Sequence, residues 1–432
     1  MTIVQINVSD YGSTGAIMHT VRNLALCKGH NAISFAGRCK YADEEKAICV
    51  GSITDKYFHA LLARFGKNGH GSKRNTEKLA ERLEQLAPDT IIVHNIHGYY
   101  IHLETFFSCL KHLAETRGTE ICFVLHDCWN FTGGCAHYFG DGCEKWHCSD
   151  EDRDGKIYCG DCKVCKKVYP KSYVDTSAEE FSLKKRLFAA LPEKNVTIIA
   201  PSRWIADEAR KSYLNKYEIT VVPNGVNIEN FKPRPIEEKY EVLKKYGIPT
   251  DKPIVLGVAS VWDSRKQPSL FYKLADIAKD CTILMVGLSK KQKRELPENV
   301  YGICRTENTT ELSCLYSAAS VLLNPTLEDT FPLVPLEALA CGTPVVTSSV
   351  CGCPEQIDHK TGIILANPCS VNEAYRAVLT VLNEQKNTAS LSVKEAENAL
   401  YTTELCRSRA LELYDNYKMA SAYMALAEHS DN

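Results

Sequence analysis

The sequence has almost no charge imbalance: 51 Lys and Arg stand against 53 Asp and Glu, a formal net charge of −2. With no long basic block, a nucleic-acid partner is not expected. No apolar run approaches the roughly 20 residues that a membrane-spanning helix needs. The opening stretch Met-Thr-Ile-Val-Gln-Ile-Asn-Val lacks a basic leader and a small-residue cleavage site, so it reads as a first strand and not as a signal peptide. Internal repeats and low-complexity segments are missing as well. These absences lead to the expectation of a soluble, cytoplasmic protein, with peripheral contact at the inner face of the membrane left open. At 432 residues the chain exceeds the size of a single core, so two domains are expected.

Cysteine is plentiful. Of 20 cysteines, seven (Cys128, Cys135, Cys143, Cys148, Cys159, Cys162 and Cys165) fall in one segment. The others are scattered, several in apolar runs such as Ile121-Cys122-Phe123, where a thiol behaves as a small hydrophobe. Without a secretory signal, clustered thiols point to metal before disulfides.

Short β-branched runs alternate with helix-length amphipathic stretches throughout. Candidate strands are Ile3–Val8, Ala32–Ala36, Thr90–His94, Ile121–His126 and Thr197–Ala200, then Ile219–Val222, Ile254–Ala259, Thr282–Val286, Val321–Asn324 and Pro344–Thr347. Most are apolar nearly throughout, as parallel strands covered on both faces are. Helices such as Gly15–Cys27, Asn75–Leu86, Phe181–Leu191 and Pro268–Ala278 lie between them. The alternation predicts an α/β fold of two Rossmann-like, doubly wound domains. Their expected extents are 1–196, with a Cys-rich insertion over 128–173, and 197–404. The break is expected near Pro192–Val196, with strand Thr197–Ala200 able to close the first sheet or open the second. Residues 405–432 are expected to form a last helix packing back on the first domain.

Several polar groups stand where buried strands run out, the position at which open α/β sheets bind ligands. After the first strand comes Asp10-Tyr11-Gly12-Ser13-Thr14-Gly15 and then a helix; its glycines allow close backbone approach, and the helix N-terminus favours negative charge. It is not Gly-x-Gly-x-x-Gly, and no P-loop lysine follows, so neither a dinucleotide nor an ATP site is indicated. His94, His97 and the pair His126-Asp127 follow two other strands. Arg265 and Lys266 form a cationic pair suited to a diphosphate. The stretch from Asn324 to Ala338 ends a strand, carries Glu328 and Asp329 in a loop, and starts a helix at Pro332. Acids near a helix start complement its dipole, which accounts for Glu328 and Asp329 but not for Glu337 among Leu336, Ala338 and Leu339.

These residues bring the chain to one family. Asn324-Pro325-Thr326, the acids Asp329 and Glu337, and Ala340-Cys341-Gly342-Thr343-Pro344-Val345-Val346 resemble the retaining glycosyltransferases of family 4, of GT-B architecture. Pro201-Ser202 with Trp204, Asn224-Gly225-Val226-Asn227 with Phe231, and Gly257 through Lys266 extend the resemblance. In the first half, His126-Asp127-Cys128-Trp129 with Phe131-Thr132-Gly133, and His94-Asn95-Ile96-His97-Gly98, look like the subgroup of bacterial surface-polysaccharide biosynthesis. The family has Glu, seven residues, Glu where this chain has Asp329 and Glu337; Gln267 replaces the glycine that usually follows the lysine.

The resemblance implies two domains facing a central cleft and a hexosyl transfer from a UDP- or GDP-sugar to a glycan or lipid-linked oligosaccharide. Lys266 and Arg265 would neutralise the leaving diphosphate, helped by the helix start at Thr330, Phe331, Pro332 and Leu333. Glu337 would hold the ribose, Asp329 (or Glu328) the donor sugar, and His126 would contact that sugar. Gly12 and Gly15 would line the donor side, and His94, His97 and Asp127 the acceptor side. No cofactor is required for catalysis. In the insertion, the Cys159-x-x-Cys162 spacing with Cys135 and Cys143 upstream fits a structural zinc; Cys148, Cys165 and His147 are alternative ligands, and an iron–sulfur cluster lacks its fourth cysteine. Rival functions are another GT-B activity, such as a sugar-nucleotide epimerase, and a non-catalytic zinc-containing scaffold.

Overall fold

The apolar runs become strands because both of their faces are covered. Ile91 and Val93 pack with Val4, Ile6 and Phe123 on one side of a sheet, while Ile92 packs with Ile3, Val124 and Ile199 on the other. The second sheet repeats the pattern: Leu256, Leu284 and Leu322 on one face, Val255, Ile283 and Val321 on the other. With no face left to water, a strand needs no polar alternation. The architecture is that of a computed structural model, which describes residues 1–40, 47–147, 159–160, 162, 171–389 and 399–428.

The strands are β1 (Thr2–Ser9), β2 (Asn31–Arg38), β3 (Ile48–Cys49), β4 (Thr90–Val93), β5 (Glu120–Val124), β6 (Val196–Ala200), β7 (Glu218–Val221), β8 (Ile254–Val258), β9 (Thr282–Val286), β10 (Val300–Ile303), β11 (Val321–Asn324), β12 (Val345–Ser348) and β13 (Gly362–Leu365). They form a seven-stranded sheet in the order β3-β2-β1-β4-β5-β6-β7 and a six-stranded sheet in the order β10-β9-β8-β11-β12-β13. The pairings are parallel throughout. Each order runs outward from a central strand and then reverses, between β1 and β4 in the first sheet and between β8 and β11 in the second. Such a reversal splays the connections apart and opens a crevice at the strands' carboxyl ends.

The chain divides into one unit of residues 1–223 with 419–432 and a second of 224–418. The expected break at 196/197 is therefore moved. β6 joins β5 in register Ile121↔Val196, and β7, which had been allotted to the second series, joins β6. A short helix, Arg203–Arg210, capped by Ser202, carries the crossover between them. The single terminal helix expected over 405–432 is two helices, Thr403–Leu413 and Asn416–Glu428. The break has a backbone cause: the Val226 N–H donates to the Tyr414 carbonyl (2.7 Å) and the Asn416 N–H to the Val226 carbonyl (3.0 Å). That bridge takes two groups out of the helical ladder. It also explains Gly225, where an added Cβ would lie 2.4 Å from the Asn416 Cα. The first of these helices packs in the second unit through Cys406 and Ala410; Met419, Tyr423 and Met424 pack on β1 and β4 side chains in the first.

Candidate active site

In the second unit, two loops meet at the sheet reversal. After β8 the chain makes a 3₁₀ turn, Ser264–Lys266, capped by Asp263. After β11 it runs from Pro325 to Pro332 before the helix Leu333–Ala340. The Leu327 N–H donates to the Arg265 carbonyl at 2.8 Å, and the Gln267 side-chain amide donates to the Pro325 carbonyl. Gln267 is left-handed at φ 49°, which explains the glycine more usual there. Across this seam Lys266 Nζ meets Asp329 Oδ2 at 2.7 Å, both side chains about three-quarters covered. Arg265 is held by Asp263 at 2.8 Å.

The far end of the acidic loop is fastened through its carbonyls. Asn224 donates to the Phe331 carbonyl at 2.9 Å and Gln356 to the Pro332 carbonyl at 2.6 Å. Glu328, Thr330 and Phe331 are buried. Pro332 caps the helix without a side-chain hydrogen bond to the first turn, so its first N–H groups are not satisfied by their own cap residue. One turn in, half-buried Glu337 accepts a 2.7 Å hydrogen bond from the Tyr316 hydroxyl. Burial pushes its carboxyl up to about 7, against the smaller lowering effect of that bond.

In the first unit a second polar cluster sits at the β1/β4 reversal. The Gln5 amide nitrogen donates to the Met18 carbonyl at 2.9 Å. A carbonyl can only accept, so the amide orientation is fixed and Gln5 Oε1 faces His94 Nε2 at 3.1 Å. His94 must donate there. Burial holds the His94 ring well below its ordinary pKa and the His126 ring down at about 4, so both are neutral at pH 7. The remaining His94 nitrogen, Nδ1, is thus an acceptor, and the His126 Nε2 at 2.9 Å is its donor. The chain of bonds gives His126 an unprotonated Nδ1. The two rings stack with centroids 5.2 Å apart. His97 Nε2 pairs with Asp127 Oδ2 at 2.7 Å. Burial alone would raise the Asp127 carboxyl, but His97 and the other groups around it hold it at about 2.

The glycines beside this cluster have separate reasons. Gly12 is left-handed at φ 76° with open space around it, whereas a Cβ on Gly15 would lie 2.6 Å from the Asp10 carbonyl carbon. Gly15 is what lets the helix Gly12–Cys27 close on the end of β1. Gln5 and Tyr316 were not among the residues singled out from sequence. Gln5 had a signal, as a polar residue inside the apolar run of β1; Tyr316, in an ordinary amphipathic helix, had none.

The thiols of Cys135, Cys143, Cys159 and Cys162 line one cavity of about 380 Å³. The Cys135 and Cys162 side chains are hydrogen-bonded, and the Gly133 N–H donates to Cys159 Sγ at 3.2 Å. Among the described residues no three His, Cys, Asp or Glu side chains stand ready to hold a metal. Cys148 and Cys165 lie outside the described residues.

Comparison with known proteins bears on the second unit first. Residues 252–384 match the family model "Glycosyl transferases group 1". Over 42% of its length the chain is 26% identical to the alpha-maltose-1-phosphate synthase of Mycolicibacterium smegmatis, covering 51% of that protein. Over 49% of its length it is 28% identical to an N,N'-diacetylbacillosaminyl-diphospho-undecaprenol alpha-1,3-N-acetylgalactosaminyltransferase of Campylobacter jejuni, covering 57% of it. The chain thus spans about half the length of these two relatives. Among solved structures, Anabaena HepE in complex with UDP-glucose superposes with a TM-score of 0.64 at 13% identity, covering 99% of this chain and 100% of that one. The fold is GT-B.

Proposed function

We propose that this chain, which carries a group 1 glycosyltransferase domain on a GT-B fold, is a retaining hexosyltransferase that uses a UDP- or GDP-sugar and a glycan or lipid-linked oligosaccharide acceptor. Bacterial surface polysaccharide synthesis at the cytoplasmic face is the setting the reading favours. The observation that carries it is the meeting of two loops at the second sheet's reversal, where a cation, a carboxylate and the start of a helix whose cap residue is a proline converge. A leaving diphosphate needs the cation and the N–H donors, and the carboxylate suits the hydroxyls of the sugar it leaves. Lys266 would trade its contact with Asp329 for a phosphate oxygen, Arg265 would add charge at the edge, and the helix start after Phe331 would supply N–H donors. The freed Asp329 would accept hydrogen bonds from the donor sugar, with Glu328 beside it, and Glu337 would accept from the ribose hydroxyls. In the first unit, His126 would contact the donor sugar, while His97, Asp127 and His94 would order the acceptor side. The acceptor class is supported by the lipid-linked substrate in the name of the Campylobacter relative.

The test is a binding and donor-hydrolysis screen of UDP-, GDP- and ADP-sugars, comparing wild type with Glu337→Ala and Lys266→Ala. Selective binding of one donor, with slow nucleotide release lost in both variants, is expected. No donor bound, or binding indifferent to both substitutions, would sink the assignment and favour a non-catalytic scaffold.

The reading requires no cofactor for catalysis. It gives the cysteine segment a structural zinc held by Cys135, Cys143, Cys159 and Cys162, supported by their sharing one cavity and by the Gly133 N–H on Cys159. The metal would draw in thiols that do not yet stand in ligand geometry. Elemental analysis of purified protein is expected to give one zinc per chain, lost in Cys159→Ser and kept in Cys165→Ser; absence of stoichiometric zinc in wild type would rule this out.

A further inference from the structure

The helix Ile53–Arg64 faces the wrong way for a soluble protein. It packs on the first unit through His59 and Ala63, its buried residues. Its outer stripe is Ile53, Tyr57, Phe58 and Leu61, continued by Phe65 just past its end. Tyr57 is 75% exposed and Ile53 70%. Amphipathic helices of globular proteins put such residues inward. The segment after the Cys-rich insertion extends the patch: the Tyr173 N–H donates to the Arg64 carbonyl at 2.7 Å, and its ring meets Phe65 edge-on at 6.4 Å. Val174 is exposed beside it. Seven of the 18 large apolar side chains exposed among the described residues thus belong to this one helix and its flank.

The charge around the patch is also unlike the rest of the chain. Residues 53–74 carry five Lys and Arg (Lys56, Arg64, Lys67, Lys73 and Arg74) against a single acid, in a chain whose net charge is −2. That acid, Asp55, accepts a 2.6 Å hydrogen bond from the Ser72 hydroxyl. Among the described residues no helix is long and apolar enough to cross a membrane. Aromatic and aliphatic side chains on one helix face, flanked by cations, are the composition of a helix that lies in the headgroup region of an anionic bilayer.

We propose that the outer face of helix Ile53–Arg64, with Phe65, Tyr173 and Val174, docks this chain on an anionic lipid surface. The aromatic rings enter the interface while Arg64, Lys67 and Lys171 meet lipid phosphates. The assignment rests on surface chemistry, and it deepens the reading of a lipid-linked acceptor by naming where the first unit meets lipid. Each part is weak alone; together they give reversible, salt-sensitive attachment.

Flotation with vesicles tests this without donor or acceptor, so its outcome is independent of the transferase assignment. Wild-type full-length chain is expected to float with vesicles of phosphatidylethanolamine and phosphatidylglycerol, and weakly with phosphatidylcholine alone. A Tyr57→Ser/Phe58→Ser double variant is expected to lose at least about tenfold in partitioning while its circular dichroism and melting temperature stay those of wild type. Lys67→Glu is expected to weaken only the anionic preference. Wild type that stays unbound, or a double variant that floats equally well, overturns the proposal. A wild-type dimer in solution that becomes monomeric in the double variant overturns it too, and assigns the face to a second copy.

Discussion

Glu337 shows how burial sets a chemical property at one atom. Its carboxyl, ordinarily near 4.5, is raised to about 7 because the half-covered helix face removes water that would stabilise the charge. Between those two values the folded chain keeps a proton that the unfolded chain releases. This group therefore favours the folded state most at low pH, and that contribution is lost as pH rises through about 7. Ligand binding has the opposite sign, because ribose hydroxyls donate most strongly to a carboxylate. Affinity for the donor nucleotide is expected to increase as pH rises through about 7, and Glu337→Gln to bind more weakly with that slope removed. Calorimetric titration across this range checks it; a slope that survives in the Gln variant assigns the pH dependence to another group. At the other reversal, Gln5→Leu would leave the buried His94 Nε2–H without its acceptor. A loss of about 1–3 kcal/mol is expected from urea unfolding. An unchanged midpoint would mean that Gln5 does not anchor the His94–His126 pair.

At the scale of elements, one missing carbon decides whether a helix can close on its strand. At Gly15 the obstacle to a Cβ is the Asp10 backbone at 2.6 Å, which cannot swing aside as a side chain could; at Gly12 the space is open and only the left-handed backbone resists. Gly15→Ala is expected to cost about 1–3 kcal/mol and Gly12→Ala less, compared by thermal melting. Equal losses would show that backbone conformation, and not close approach, sets the requirement. The same stretch read from sequence as a ligand loop; in the fold Gly15 answers to close approach and Gly12 to backbone conformation. Central strands such as Thr282–Val286 and Val321–Asn324 were legible to the residue, because four or three apolar residues in a row have no other stable place. β3, β10 and β13 were missed: one is two residues long, and the other two contain or begin with glycine. The break at Asp415 in the terminal helix was invisible, since its cause lies in Val226, far away in sequence.

For the molecule as a whole, the alternation of strand and helix revealed two parallel sheets but not where one ends. Thr197–Ala200 and Ile219–Val222 are apolar whichever sheet they join, and only the pairing of β6 with β5 settles it. The reversal points were not legible either, yet they explain why residues distant in sequence, Lys266 and Asp329 or Gln5 and His94, come together. Each unit has its own cores and its own reversal, which leads to a prediction about where ligand energy is felt. Whichever of UDP and GDP binds, supplied at about 100 times its Kd, contributes about 2.7 kcal/mol to the state that holds it. Hydrogen exchange is expected to slow in peptides around 264–267 and 325–340. Peptides of β1, β4 and β5 are expected to exchange at the unliganded rate, because the proposed function has the second unit's loops meet the nucleotide's charge. Slowing concentrated instead around His94 and His126 would move the nucleotide to the first unit's reversal and leave Lys266 and Asp329 as a structural ion pair.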